Sequence, residues 1–117
     1  IIYQSWNETT IMPCTIIDYY KKVEAAMGGP AETRDFARLF MVAGMGMCPG
    51  FGNAKDFDAL DAMQRWVEKG IAPDRILAQH RDDNREVFRT RPVCAYPKAA
   101  KYKGKGDPND AVNFECK

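Results

Sequence analysis

An α/β layer, with helices packed on a small parallel sheet, is the fold class this sequence predicts. Two apolar runs with strand character, Ile1-Ile2-Tyr3 and Ala37-Arg38-Leu39-Phe40-Met41-Val42, are each followed by a segment of helical periodicity. Glycines close the second run and both helical segments. Strands that alternate with helices are joined by crossovers, and crossovers pair strands in parallel. With no internal repeat and no linker composition, residues 1–117 are expected to form one domain.

Ile1 to Tyr3 is expected to be the middle or end of a buried strand. The polar stretch Gln4 to Thr10 lacks apolar periodicity and should be a loop, closed by Pro13. A helix follows: Thr15 and Asp18 have the spacing of a capping box, and Ile16, Tyr20, Val23 and Met27 recur at helical spacing up to Gly28-Gly29-Pro30. The run Ala37 to Val42 is the second strand. The glycine-rich segment Gly44 to Gly52 comes next, where glycines permit the turns that loops beside functional sites often need. Its spacing matches neither a dinucleotide nor a P-loop fingerprint.

The second helix is predicted from about Asp56 to Lys69, with Phe57, Leu60, Met63 and Val67 on one stripe, Trp66 beside it and Gly70 as the stop. Acidic residues at its start and Lys69 at its end suit the helix dipole. From Ile71 the pattern loosens; Glu86 to Val93 has strand character, and Tyr96 to Lys117 is expected to be an irregular tail. Two strands do not make a stable sheet, so the remaining strands must come from elsewhere.

The formal charge of +1 calls for neither nucleic acid nor an anionic membrane as a partner. No apolar run approaches the roughly 20 residues a bilayer requires. Lys98, Lys101, Lys103 and Lys105 around Tyr102 are taken as a solvated tail. No cofactor is expected. Ile1 is no initiator Met, and the chain is expected to start through processing or choice of boundary. The cysteines at 14, 48, 94 and 116 lack the C-x-x-C spacing of zinc or redox motifs, so disulfides and a secreted or periplasmic location are expected. Asn7-Glu8-Thr9 is a glycosylation sequon, with Asn7 as its acceptor.

Several segments in order resemble the end of the tannase and feruloyl esterase family. Tyr3-Gln4-Ser5-Trp6-Asn7-Glu8, Ile11 and Pro13 are similar to the strand end and loop that carry the family's catalytic aspartate. Thr15 to Tyr20 resembles the next helix. Arg38 to Val42 and Gly44-Met45-Gly46-Met47-Cys48 resemble the strand and loop that carry its catalytic histidine. Phe57 to Leu60, Trp66 to Gly70 and Ala72-Pro73 are similar to the helix after that loop. Arg91 to Pro97, Ala100, Tyr102, Gly104, Gly106 and Asn113 to Cys116 are similar to the closing tail.

The resemblance implies a partial α/β-hydrolase sheet: a C-terminal strand-helix-strand-helix unit with a disulfide-bonded tail, its sheet completed by another chain or a second copy. It implies secreted serine esterases of aromatic carboxylic acids, with a serine, aspartate and histidine triad. This chain departs from that pattern at the chemistry. It holds no G-x-S-x-G or Cys-Ser pair, and its one serine is Ser5. Met47 stands at the histidine position, and a thioether can neither take the nucleophile's proton nor return it to a leaving group.

Glu8 stands at the aspartate position with Asn7 beside it, and its plainer reading is a solvated loop carboxylate. His80, the single histidine, lies far beyond the glycine loop and is expected to be an ordinary surface residue. The chain is therefore expected to be incompetent in ester hydrolysis alone; a non-enzymatic, self-associating module is the competing expectation. As in the family, Cys94 should pair with Cys116. The family partner of Cys48 lies upstream, so Cys48 either bonds another chain or turns to Cys14. The second is preferred, because the two strands before these loops should be adjacent.

Overall fold

A computed structural model describes residues 1–45 and 56–117. β1 (Ile2–Ser5) and β2 (Leu39–Val42) pair in parallel, with Ile2 beside Leu39 and Ser5 beside Val42. Branched and aromatic residues favour this pleated, half-buried setting, and Leu39, Phe40 and Val42 lose all exposure in it.

The crossover runs through α1 (Pro13–Ala26) and α2 (Pro30–Arg34). α1 starts three residues earlier than the capping-box reading requires, with Met12 rather than Thr15 as its cap. Pro13 takes the first helical position, where its lack of an N–H costs nothing, and Met12 is the cap without a side-chain bond. Thr15 therefore lies inside the helix, and its N–H donates to the Met12 carbonyl at 2.9 Å. The expected buried face holds for Tyr20, whose hydroxyl donates to the Ala37 carbonyl at 3.2 Å; Ile16 and Val23 are half-buried. Met27, at the helix end, is exposed.

The parallel expectation holds only for this first pair. β4 (Arg75–Arg81) and β5 (Val87–Cys94) form an antiparallel hairpin, and β3 (Asp56–Phe57) pairs antiparallel with β4. β4 corrects the irregular stretch expected after Ile71: Ile76, Ala78 and His80 alternate inward along it. Asp82 closes the hairpin, its Oδ1 accepting from the N–H groups of Asn84 and Glu86. The end of β5 then reaches β2, where Phe40 bridges to Ala95 and the Tyr96 N–H donates to the Leu39 carbonyl at 2.8 Å. The core lies at this junction and gathers Phe40, Val42, Met45, Ile76, Ala78, Val93 and Ala95.

α3 (Ala59–Lys69) begins after β3, so the predicted start at Asp56 is corrected to Asp58 as the cap, whose Oδ1 accepts from the Asp61 N–H at 2.8 Å. Gly70 ends it at φ 67°, a left-handed conformation that glycine adopts freely. The face that packs inward is not the predicted stripe. Ala62 meets the core and the guanidinium of Arg38 lies 5.3 Å from the Trp66 ring centre, whereas Leu60 is 78% and Val67 73% exposed.

The tail, expected to be irregular, is ordered. β6 (Ala100–Tyr102) and β7 (Phe114–Cys116) pair antiparallel, and a 3-10 turn at Ala111–Asn113 leads into β7. The glycines that argued against structure make its reversal: Gly104 and Gly106 have φ of 80° and 85°, and the Tyr102 hydroxyl donates to the Gly106 carbonyl at 2.6 Å. Among the described residues no helix is long and apolar enough to cross a membrane.

Candidate functional site

Parallel pairing brings the C-terminal ends of β1 and β2 to one edge, so the loops that follow them meet. Two side chains fasten the first loop to the second. Ser5, the last residue of β1, is 2% exposed; its hydroxyl donates to the Met45 carbonyl and accepts from the Asn7 N–H at 2.9 Å. Asn7 then reaches across, its Oδ1 accepting from the Gly44 N–H at 3.2 Å. With both hydrogen-bonding roles used and no solvent access, Ser5 cross-links loops and has no nucleophilic part.

Glu8 faces its own loop. Its Oε1 accepts from the Thr10 N–H at 2.7 Å, and this backbone bond holds its carboxyl below the usual carboxylate range, so it is ionised near neutrality. The amide of Gln4 closes the same loop by donating to the Ile11 carbonyl at 2.9 Å. Asn7, rather than Glu8, is thus the side chain directed at the glycine-rich loop. Met47 and Cys48 lie outside the described residues, two and three positions beyond the fastened Met45.

The structure joins Cys94 at the end of β5 to Cys116 in β7, with 5.7 Å between their Cα atoms. It corrects the preferred Cys14 pairing. Because α1 starts at Pro13, Cys14 falls in its first turn, exposed to solvent, where it is a free thiol rather than a partner of Cys48.

His80 is not a surface residue. It projects from the inward face of β4, only 7% exposed, directly opposite Arg89 of β5. Its Nδ1 is buried without a hydrogen-bond partner. Burial, then the nearby charges of Arg89 and Arg91, push its pKa below the ordinary histidine value. The period-2 alternation of Ile76, Ala78 and His80 is the sequence signal that locates it. His80 lines a cleft of about 540 Å³ that also touches Trp6 and Gly44. Among the described residues, no cluster of three or more His, Cys, Asp or Glu side chains is arranged for a metal ion.

The pattern of the family described as tannase and feruloyl esterase matches residues 1–117. The chain is 42% identical to a mono(2-hydroxyethyl) terephthalate hydrolase of Piscinibacter sakaiensis over 99% of its own length and 19% of the relative's. It is 40% identical to a probable feruloyl esterase of Arthroderma benhamiae, over 96% of this chain and 22% of that protein. A crystal structure of an esterase from Aspergillus oryzae superposes with a TM-score of 0.84 at 31% identity, covering 97% of this chain and 26% of the other. The chain spans only about a fifth to a quarter of the proteins it matches.

Proposed function

Because the chain belongs to the tannase and feruloyl esterase family of carboxylic-ester hydrolases, we propose that it forms the C-terminal part of an aromatic-ester hydrolase fold and cannot turn over such esters alone. The substrates of that fold are gallate- or hydroxycinnamate-type esters. The observation that carries the reading is the residue at position 47. The loop that would present the general base is fastened to the loop of the acid through Ser5 and Asn7, yet it offers methionine where the proton relay needs an imidazole.

The chain's one serine is committed to Met45, and its one histidine sits on β4, where among the described residues its Nδ1 has no hydrogen-bond partner. The Cys94–Cys116 bridge supports an oxidising, secreted or periplasmic setting, in which Asn7 is an available glycan acceptor. Cys48 then pairs outside this chain, with the cysteine beside the nucleophile that the family resemblance implies.

The test is reconstitution. This chain is co-expressed with the preceding part of the Piscinibacter sakaiensis relative, as Met47 or as Met47→His, and assayed on methyl ferulate and methyl gallate. The Met47 pair stays roughly a thousandfold or more below the histidine pair, the usual cost of losing a triad member. Equal rates for the two would reject the reading.

One observation favours a second reading, a non-enzymatic module that self-associates. Among the described residues β1 pairs on one side only, and Tyr3, Trp6, Leu60 and Val67 expose apolar surface. Sedimentation showing a tight two-fold dimer of this chain favours that module; a monomer that recruits the preceding segment favours the hydrolase portion.

A further inference from the structure

Three successive residues of β5, Arg89, Thr90 and Arg91, carry the tail. The Thr90 N–H donates to the Asn109 carbonyl at 2.8 Å, and its hydroxyl accepts from the Ala111 N–H at 2.8 Å. Arg89 donates through Nε to the Asn109 amide oxygen at 3.0 Å, and the Arg91 guanidinium lies 4.3 Å from the Phe114 ring centre. The two arginines also flank His80. It stands directly opposite Arg89, with Arg91 opposite Ala78 one step along the same face. Cross-strand partners project to the same side of a sheet, so the imidazole shares its face with both guanidinium-bearing side chains.

No acid balances them. Arg89 and Arg91 face His80 from β5, and Lys98, on the segment before β6, borders the same space. Trp6 and Gly44, from the loops after β1 and β2, and Phe114 from β7 bring no charge. The adjacent Arg81 is paired with Asp56. Among the described residues neither Arg89 nor Arg91 has a carboxylate within ion-pair distance; Asp107, in the tail turn, is the acid that acts on Arg91.

A neutral imidazole fits this place and a protonated one does not. Protonation makes both ring nitrogens donors, yet Nδ1 is buried with no hydrogen-bond partner. It also adds a positive charge to a buried face that already holds two. Relief requires water at Nδ1 and retreat of the two guanidiniums, and those are the groups that grip Asn109 and Phe114.

We propose that His80 is an acid-sensitive latch: a proton on its imidazole drives Arg89 and Arg91 away and loosens the tail turn, residues 107–113, from β5, while β1 and β2 stay paired. The latch belongs to the hairpin and the tail, and it holds whether or not the fold hydrolyses esters. A solvated imidazole takes a proton near pH 6.5, whereas burial and then Arg89 and Arg91 delay this to lower pH in the closed state. The latch is therefore shut above about pH 6.5 and gives way as pH falls below it.

The test is amide hydrogen exchange of this chain, read by NMR between about pH 7.5 and 5.5, with each rate divided by that of an unstructured peptide at the same pH. Protection of the Thr90 and Ala111 N–H groups should fall roughly three- to tenfold between pH 6.5 and 5.5. The Ile2 and Trp6 N–H groups, bonded to the Arg38 and Val42 carbonyls, should keep theirs. His80→Gln, uncharged throughout, should remove the pH dependence at Thr90 and Ala111. Constant protection there in the wild type, an equal loss at Ile2 and Trp6, or an equal loss in His80→Gln would overturn the proposal. If that variant does not fold, the wild-type imidazole titration decides: a His80 midpoint below about pH 6.5 is expected, and one at or above it would overturn the latch.

Discussion

Burial of His80 beside Arg89 and Arg91 sets the sign of its pH response. In the unfolded chain a histidine takes a proton near pH 6.5, while the folded ring resists it. The unfolded state therefore binds more protons below about pH 6.5, and stability present above that value is lost as pH falls towards the lowered folded pKa. The melting temperature of the wild type should fall between pH 7.5 and 5.5, and by less in a His80→Gln variant; equal losses would remove His80 as the cause. Ser5 fails as a nucleophile for a reason of the same kind. A hydroxyl buried between the Met45 carbonyl and the Asn7 N–H is already fully used, so Ser5→Ala should cost about 1–3 kcal/mol by leaving those groups unpaired, measured by urea unfolding.

Among the elements, the tail and α3 carry the sharpest lessons. The Cys94–Cys116 bridge closes a separation of 22 residues and ties β7 to β5, so Cys116→Ser should lower stability by about 3 kcal/mol in the chain-entropy picture. Amide exchange should quicken first in β6 and β7; unchanged protection there would mean that Arg91 on Phe114 and the strand pairing suffice without the bridge. Sequence reasoning located β1, β2, α1, β5 and the Gly70 stop, because local periodicity and capping chemistry write them into the chain. It missed β4 because the charged ends Arg75 and Arg81 and the polar Gln79 mask the alternation of Ile76, Ala78 and His80. It placed the wrong face of α3 inward because small Ala62 and half-polar Trp66 form the contact there, and hydrophobicity alone ranks Leu60 and Val67 higher. The tail escaped because its order rests on long-range links, Cys94 with Cys116 and Arg91 with Phe114, that no local pattern encodes. At the site, the resemblance located the loops, but only the structure separates Asn7, aimed at Gly44, from Glu8, folded onto Thr10.

As a whole molecule, this chain leaves one edge of β1 unpaired among the described residues and an apolar stripe of α3 facing outward, while the proteins it matches are about four to five times longer. Surfaces of that kind are covered by neighbouring structure in a complete sheet. Added preceding segment should therefore protect β1 amides and Leu60 and Val67 from exchange and labelling together; protection of neither would separate the chain from that assembly. The proposed inability to turn over esters alone rests on the methionine at position 47 and on the buried, hydrogen-bonded hydroxyl of Ser5. The most direct test is the initial rate of methyl ferulate hydrolysis by this chain alone, purified to constant specific activity. A rate equal to the buffer background is expected, and turnover that persists through purification and saturates with substrate would contradict the account.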